Sequence, residues 1–302
     1  MHNPLRMPKI IIFMLFILSP LCVSGQRIDR SQLMEDFQFL ASDALAGRAP
    51  LTEGSMKART LIRSRFDALG MTSQYDDFTQ FFSFGDNKKI ENAANIVGFI
   101  PGTVSEKIIV ITAHYDHLGV IDGKIYNGAD DNASGTAALL AMAAYFSENR
   151  PAHSMIFAAL DAEEMGLQGA KALVRDFPFP LDQIILNVNM DMVSRSDKNE
   201  IFACGTHHYP KLKPMLEEAA DDSKVNLKFG HDLPDTGHDD WTSASDHAPF
   251  HAKGIPFVYF GVEDHPDYHR DTDTFDKVNQ DFYFQVVQLI INSVLKMDEG
   301  II

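Results

Sequence analysis

Apolar residues recur along the chain in two patterns, and each pattern predicts one kind of element. Apolar positions three and four residues apart predict amphipathic helices, whereas short continuous apolar runs predict buried strands. Helical spacing occurs over residues 31–45, 54–70, 134–149, 167–176, 210–222 and 279–297. Strand-like runs occur at 95–100, 107–112, 154–160, 184–190, 200–205 and 255–260.

The order of these elements predicts the fold class. After Pro101-Gly102, which separates the first two strands, strands alternate with helices, and runs such as "IIVIT" at 108–112 are apolar throughout. Strands that are apolar on both faces are typical of a sheet covered on both sides. We therefore expect an α/β fold with a largely parallel mixed sheet flanked by helices on both faces. No repeat, low-complexity tract or linker is evident, so residues 26–302 are expected to form a single domain.

The amino-terminal segment has the pattern of a signal peptide. Arg6 and Lys9 supply positive charge, "IIIFMLFIL" (10–18) is a short apolar core, and "VSG" (23–25) offers small residues for cleavage. Residues 1–25 are therefore predicted to be removed, which indicates a periplasmic or extracellular protein with no stable membrane insertion afterwards. The apolar run is short for a transmembrane helix. An uncleaved membrane anchor is the alternative.

Charge and cysteine content narrow the choice of partners. The formal net charge of −16 argues against a nucleic-acid partner, which requires basic patches. An acidic cleft would favour metal ions and cationic groups such as the free amino terminus of a peptide. Simple solubility is the plainer explanation, and charge alone does not separate the two. Cys204 is the one cysteine after residue 25, so the mature chain has no internal disulfide.

Residues that commonly bind metals follow four of the predicted strands. Ligands in open α/β sheets lie beyond the carboxyl ends of the strands, where such residues would meet. In chain order these residues are His114 and Asp116, Glu163 and Glu164, Asp191, and His265 and His269; "NGADDNASG" (127–135) lies between the first two groups.

Each of these groups has a plainer explanation when it is taken alone. Asp130 and Asp131 could cap the following helix, and acidic residues favour a helix start, as at Glu163-Glu164. Carboxylates gathered at one edge would repel one another unless a metal neutralised them, so their joint occurrence predicts a metal site.

On an extended segment, residues two apart point the same way, and His117 would point to the opposite side from Asp116.

The ordered set of motifs resembles the co-catalytic zinc aminopeptidases, a superfamily that also contains glutamate carboxypeptidase and the glutaminyl cyclases. The motifs that carry the resemblance are "AHYDHLG", "NGADDNASG", "DAEEMGLQGA", "NMDM", "SDHAPF" and "DYHRDTDT", and they span residues 113–274. "GRAPLTEG" (47–54) is also similar to an amino-terminal element of secreted bacterial members.

The resemblance implies a zinc aminopeptidase-like fold and a site for two zinc ions that share Asp131. It implies a cis peptide bond at Asp131–Asn132. One zinc would be held by His114, Asp131 and Asp191, and the other by Asp131, Glu164 and His269.

The resemblance also assigns the remaining roles. Asp116 would orient the His114 ring, and Glu163 would act as the general base in hydrolysis of the first peptide bond of a peptide or protein. Residues 240–257 would form a wall of the substrate pocket, with Trp241, Asp246 and His247 as candidate substrate-binding residues. Separately from the resemblance, His265 lies near His269 in sequence; we expect a structural role for it, and the alternative is that it reaches the site.

Three other functions remain open on the same fold. A glutaminyl-peptide cyclotransferase would use one zinc, so the full ligand set favours hydrolysis with two. A carboxypeptidase would need a cation for the substrate carboxylate, for which Arg195 and Arg270 are candidates. A binding domain that has lost catalysis would lack some ligands or the base, and none is missing here.

Overall fold

The computed structural model describes residues 28–85 and 89–301. The predicted signal peptide, residues 1–25, lies outside the described residues, so this prediction is not tested. Within the described ranges, no helix has the length and apolar character needed to span a membrane.

In the described part of the chain, ten strands form one large sheet and one small hairpin. The strands are β1 (Thr79–Phe84), β2 (Ile90–Ile100), β3 (Ser105–His114), β4 (Gly119–Ile121), β5 (Lys124–Tyr126), β6 (His153–Leu160), β7 (Ile184–Met190), β8 (Glu200–Cys204), β9 (Asn226–Phe229) and β10 (Phe257–Gly261). The large sheet has the order β1-β2-β6-β3-β7-β10-β8-β9, and β4 pairs with β5.

The centre of the large sheet is parallel. β6, β3, β7 and β10 run in the same direction as their neighbours in this group. The flanking pairs β1–β2, β2–β6 and β10–β8 are antiparallel, and β8–β9 is parallel. This arrangement confirms the expected largely parallel mixed sheet.

Helices cover both faces of the sheet, because the central strands are apolar on both sides. They are α1 (Arg30–Leu40), α2 (Glu53–Ala68), α3 (Gly135–Glu148), α4 (Gln168–Arg175), α5 (Lys213–Ala220), α6 (Ala248–His251) and α7 (Gln280–Gly300). Along β3, Ile109 and Ile111 belong to the apolar cluster that contains buried residues of α1, α2, α3, α5 and α7, whereas Ile108 and Val110 belong to the cluster that contains buried residues of α4 and α6. The expected α/β class is confirmed.

Several elements differ from the sequence expectation. β6 lies between β2 and β3, although the last two follow one another in the chain. The helix expected over 31–45 ends at Leu40, and a short irregular turn over 43–48 follows. The structure adds β1, β9 and the β4–β5 hairpin, which are too short or too polar to give a strong apolar run.

Arg48, in the turn after α1, is a fully buried cation that joins distant segments of backbone. Its guanidinium donates to the carbonyl oxygens of Leu40 (2.6 Å), Tyr115 (2.8 Å), Asn127 (2.6 Å) and Gly128 (3.0 Å). Burial lowers the pKa of Arg48 to about 10, so it remains charged at neutral pH. Arg48 thereby ties α1 to the segments on either side of β4 and β5.

Candidate metal centre

The carboxyl ends of the parallel strands bring the candidate metal-binding residues to one edge of the sheet. β3 ends at His114, β6 is followed by Glu163 and Glu164, β7 is followed by Asp191, and His269 lies in the loop after β10. This is the meeting point that the sequence predicts for parallel strands.

His114, Asp131 and Asp191 form the first group of potential ligands, and their donor atoms all lie within 4.8 Å of one another. The Nε2 atom of His114 lies 3.2 Å from Asp191 Oδ1 and 3.4 Å from Asp131 Oδ1. All three residues are buried. One nitrogen and two carboxylates are suitable ligands for zinc.

Asp116 lies on the other side of the His114 ring. Nδ1 of His114 is 3.2 Å from the backbone oxygen of Asp116 and 3.5 Å from its Oδ1. The Asp116 carboxylate also accepts from the backbone N–H groups of Glu163 (3.1 Å) and Glu164 (3.4 Å). Asp116 thus holds the loop after β3 against the loop after β6, and leaves Nε2 of His114 directed at the carboxylates.

The loop that carries Asp131 is fixed from several directions. The Asp273 carboxylate accepts from the backbone N–H groups of Asp130 (3.0 Å) and Asp131 (3.1 Å). Asn132 donates from its side chain to the Met190 carbonyl (2.8 Å), which ties the loop to the end of β7. The peptide bond Asp131–Asn132 is cis, as expected.

Asp130 faces away from the cluster. Its Oδ1 accepts from the backbone and hydroxyl of Ser194, both at 2.7 Å, and its Oδ2 lies 3.1 Å from His265 Nε2. Asp130 is therefore held by Ser194 and His265 rather than by the candidate ligands, and the structural role expected of His265 stays a prediction.

A second group of potential ligands surrounds the other oxygen of Asp131. Nε2 of His269 lies 3.0 Å from Asp131 Oδ2 and 3.4 Å from Glu164 Oε2. His117 joins this group, with Nδ1 2.7 Å from Glu164 Oε1 and 3.7 Å from Asp131 Oδ2. The two Asp131 oxygens thus face different groups, as a shared ligand would.

The position of His117 differs from the sequence expectation that it points away from the site. That expectation assumes an extended chain beyond His114, but β3 ends at His114 and residues 115–118 are not strand. Alternation of side chains therefore stops before His117, and its ring turns into the cluster.

The electrostatics of the cluster fit bound cations. Burial, together with the neighbouring Asp131 carboxylate, raises the pKa of Glu164 to about 8. Burial raises the pKa of Glu163 well above its usual range, with Asp191 and Asp246 adding to the effect and His114 opposing it. Against burial, the imidazoles of His117, His114 and His269 hold the pKa of Asp131 well below its usual range.

Burial is the first cause of the raised carboxyl pKa values, and repulsion among the carboxylates adds to it. Within the described part of the chain, His117 and Glu164 also carry buried polar atoms without a hydrogen-bond partner. Divalent cations between the two groups would offset the repulsion and satisfy these atoms, so the residues present fit a metal centre.

A cavity of about 300 Å³ opens beside both groups. Asp131, Glu163, Glu164, Asp191 and His269 line its polar side. Its apolar walls come from Leu167, Met192, Trp241, Tyr259, Val262 and Tyr268. A larger cavity of about 710 Å³ shares Leu167 with this one, but none of the metal-binding residues lines it.

The three candidate substrate-binding residues have different surroundings. Trp241 lines the cavity and stacks on His231 with ring centroids 3.7 Å apart. Asp246 and His247 are fully buried and are not part of the cavity lining; His247 stacks against Phe257 and Tyr259. A side chain without access to the cavity does not touch a substrate there, so we retain Trp241 alone as a proposed substrate contact.

The structure also identifies supporting residues that sequence reasoning did not assign. Ser245 donates to Asp191 Oδ2 at 2.7 Å, and Asp273 holds the backbone beside Asp131. Arg48 holds the carbonyls next to both ligand loops. The motifs "SDHAPF", "DYHRDTDT" and "GRAPLTEG" contain or adjoin these positions, but neither periodicity nor spacing indicates what each residue contacts.

Comparison with known sequences gives a family match. A family model described as Peptidase family M28 matches residues 95–294. A probable zinc metalloprotease of Pyrenophora tritici-repentis (strain Pt-1C-BFP) is 25% identical over 261 residues, 74% of this chain and 60% of that protein. Aminopeptidase YwaD of Bacillus subtilis (strain 168) is 27% identical over 220 residues, 68% of this chain and 44% of that protein. The chain spans about half the length of the curated relatives it matches.

Solved structures share the fold at lower identity. An aminopeptidase from Aneurinibacillus sp. strain AM-1 superimposes with a TM-score of 0.72 at 17% identity, covering 89% of this chain and 93% of that chain. A glutaminyl cyclase of Bacteroides thetaiotaomicron superimposes with a TM-score of 0.70 at 17% identity, covering 89% of this chain and 98% of that chain. The fold is therefore common to proteins with different reactions, and the site must decide between them.

Proposed function

This chain belongs to peptidase family M28, and from that premise we propose that it is a zinc aminopeptidase, which hydrolyses the amino-terminal peptide bond of peptides or proteins. The observation that carries the proposal is an acidic cavity next to two groups of metal-binding residues that share Asp131. The zinc metalloprotease and aminopeptidase names of the relatives support the metal and the reaction class.

The proposed ligands follow the two groups of the site. His114, Asp131 and Asp191 would hold one zinc ion, and Asp131, Glu164 and His269 would hold the other. When bound, zinc supplies Lewis-acid polarisation of a carbonyl and lowers the pKa of water to about 7.

Glu163 is the proposed general base, because it is the acidic residue of the cavity lining next to Glu164 that no proposed metal position uses. Burial raises the pKa of its carboxyl, which makes the carboxylate a stronger proton acceptor. Glu163 would take a proton from the attacking water as the water oxygen bonds to the substrate carbonyl carbon. It would then give this proton to the amine nitrogen, which leaves as a neutral amine when its bond to the carbonyl carbon breaks.

The charge of the cavity favours an amino terminus over a carboxyl terminus. Among the described residues that line it there is no lysine or arginine, whereas Asp264 adds a further carboxylate. Arg195 is engaged by Asp267 at 2.9 Å, and neither Arg195 nor Arg270 lines the cavity. A substrate ammonium group would be attracted here, and a substrate carboxylate would be repelled.

A glutaminyl cyclase is the second candidate, since that reaction occurs on the same fold. The presence of two donor groups that share Asp131 favours the two-metal hydrolase. A substrate panel separates the candidates: free amino-terminal peptides, amino-terminally blocked peptides, and peptides that begin with glutamine, with metal content measured on the same sample.

The central experiment compares Glu163→Gln with the wild type. Glutamine has the same shape but does not accept the proton, so we expect turnover of an aminoacyl nitroanilide to fall about 10²–10⁴-fold. Bound zinc and the unfolding temperature should remain close to wild type. Wild-type turnover in this variant would show that Glu163 is not the base.

We also propose that the protein is exported and that residues 1–25 are removed. The support is the charge and apolar pattern of that segment. Amino-terminal sequencing of the native protein tests this, since an intact Met1 would contradict it.

A further inference from the structure

His117 is a buried imidazole that the proposed ligand set leaves without a role. Its side chain is inaccessible to solvent, and among the described residues neither Nδ1 nor Nε2 has a hydrogen-bond partner. Buried polar atoms normally find partners, because an unpartnered one loses its hydration without replacement. An imidazole in this state calls for a partner of another kind.

The surroundings of Nδ1 indicate what that partner is. Nδ1 lies 2.7 Å from Glu164 Oε1, yet the pair does not have hydrogen-bond alignment, and Glu164 Oε1 itself has no hydrogen-bond partner in residues 28–85 and 89–301. Asp131 Oδ2 lies 3.7 Å from the same nitrogen. An imidazole nitrogen and a carboxylate oxygen that approach so closely without hydrogen-bond alignment can share a cation instead, and both atom types suit zinc.

The backbone leaves room for this ring. A Cβ atom on Gly128 would lie 2.4 Å from Cγ of His117 and 2.0 Å from the Asp131 carbonyl oxygen. Gly128 also has φ +52°, and its carbonyl is held by Arg48 at 3.0 Å. The absence of a side chain at residue 128 therefore lets His117 reach the cluster.

We propose that His117 is a further metal ligand, which binds through Nδ1 to the zinc held by Asp131, Glu164 and His269. This inference rests on the proposed function. It gives that zinc two imidazoles and two carboxylates, whereas the zinc at His114 has one imidazole and two carboxylates. The ring centroids of His117 and His269 are 5.9 Å apart, so both rings border the same site. The zinc at this position should be the last removed by a chelator.

The direct test counts the ligated histidines in the full protein with cobalt(II) in place of zinc. Cobalt shifts the N–H proton of each bound imidazole far outside the usual NMR range, and these signals disappear in D₂O as the protons exchange. We expect three such signals in the wild type and two in His117→Asn. His153→Asn is the matched control, because His153 is also buried but lies at the end of β6 that is remote from the candidate metal centre. This variant should keep three shifted signals.

A second measurement follows zinc retention during dialysis against a graded chelator. Two variants are measured: His117→Asn, and His117→Phe, which keeps a ring of similar volume. In both, the affinity for the more tightly held zinc should fall more than about 100-fold. Loss of a residue that only supports a ligand costs about 10–100-fold in metal affinity, so a larger loss indicates direct binding. His153→Asn should match the wild type. Circular dichroism of each variant verifies that it is folded.

Two results would overturn the role of His117 alone: two shifted signals in the wild type, or an unchanged signal count and zinc affinity in His117→Asn. A wild-type chain that binds neither cobalt nor zinc would overturn the proposed function as well. Loss of zinc in His114→Ala and His269→Ala, together with unchanged zinc in His117→Asn, would leave the proposed function standing and refute only this inference.

Discussion

Replacement of Arg48 by methionine removes a buried cation that holds four backbone carbonyls, and its cost follows from those contacts. A hydrogen bond from a charged donor contributes about 1.5–3 kcal/mol, so four contribute about 6 kcal/mol at the lower end. Burial of the methionine side chain stabilises the folded state by about 2 kcal/mol, which offsets part of this loss. The expected loss in the free energy of unfolding is therefore about 4 kcal/mol.

This loss predicts a clear change in thermal unfolding. At about 2–4 °C per kcal/mol for a domain of similar size, the unfolding temperature should fall by about 8–16 °C. Differential scanning calorimetry of the metal-free proteins measures it without a contribution from zinc. Zinc affinity should also fall, because Tyr115 and Gly128, whose carbonyls Arg48 binds, flank the ligand loops.

Arg175→Met is the matched control for this experiment. Arg175 is exposed and contacts Asp176, its neighbour in the chain, so its loss should move the unfolding temperature by no more than about 1 °C. If Arg48→Met unfolds at the temperature of Arg175→Met, the guanidinium does not hold these segments together and the reasoning fails.

Three further substitutions or treatments test other parts of the site and fold. Ser245→Ala removes the hydrogen bond to Asp191 and should weaken zinc binding at the His114 position about 10-fold or more, measured by calorimetric titration; an unchanged affinity would contradict this. Trp241→Ala should raise KM for peptides with a large apolar first residue about tenfold and leave kcat nearly constant; a fall in kcat alone would remove Trp241 from the proposed pocket. Burial raises the pKa of Cys204, so in a chain without residues 1–25, which contain Cys22, a thiol reagent at pH 8 should label Cys204 only after denaturation; rapid labelling of Cys204 in the folded chain would contradict the structure.

The fold was largely predictable because its central strands are apolar on both faces. Runs such as 108–112 and 154–160 identify strands without knowledge of their partners, and the helices of the two outer layers have clear periodicity. The position of β6 between β2 and β3 was not predictable, because strand order depends on crossover connections rather than on local pattern. The short strands β4, β5 and β9 have too few residues for a pattern to form.

The candidate site was predictable as far as strand ends determine it. His114, Asp191 and Glu164 follow directly from the rule that ligands meet beyond the carboxyl ends of parallel strands. Arg48 and His117 did not follow, for separate reasons. Arg48 binds carbonyls that are distant in sequence, and any residue type can supply a carbonyl. The direction of His117 depends on the residue at which β3 ends, which alternation cannot specify.

The carboxylate of Asp131 has a thermodynamic consequence under the proposed function. Its two oxygens face separate groups of ligands, 3.4 Å from His114 Nε2 on one side and 3.0 Å from His269 Nε2 on the other. Occupancy of either position therefore changes the charge that the other one meets, and this coupling is reciprocal. A zinc titration of the metal-free protein should depart from the curve for two independent sites, and the order in which the positions fill becomes a property of the pair.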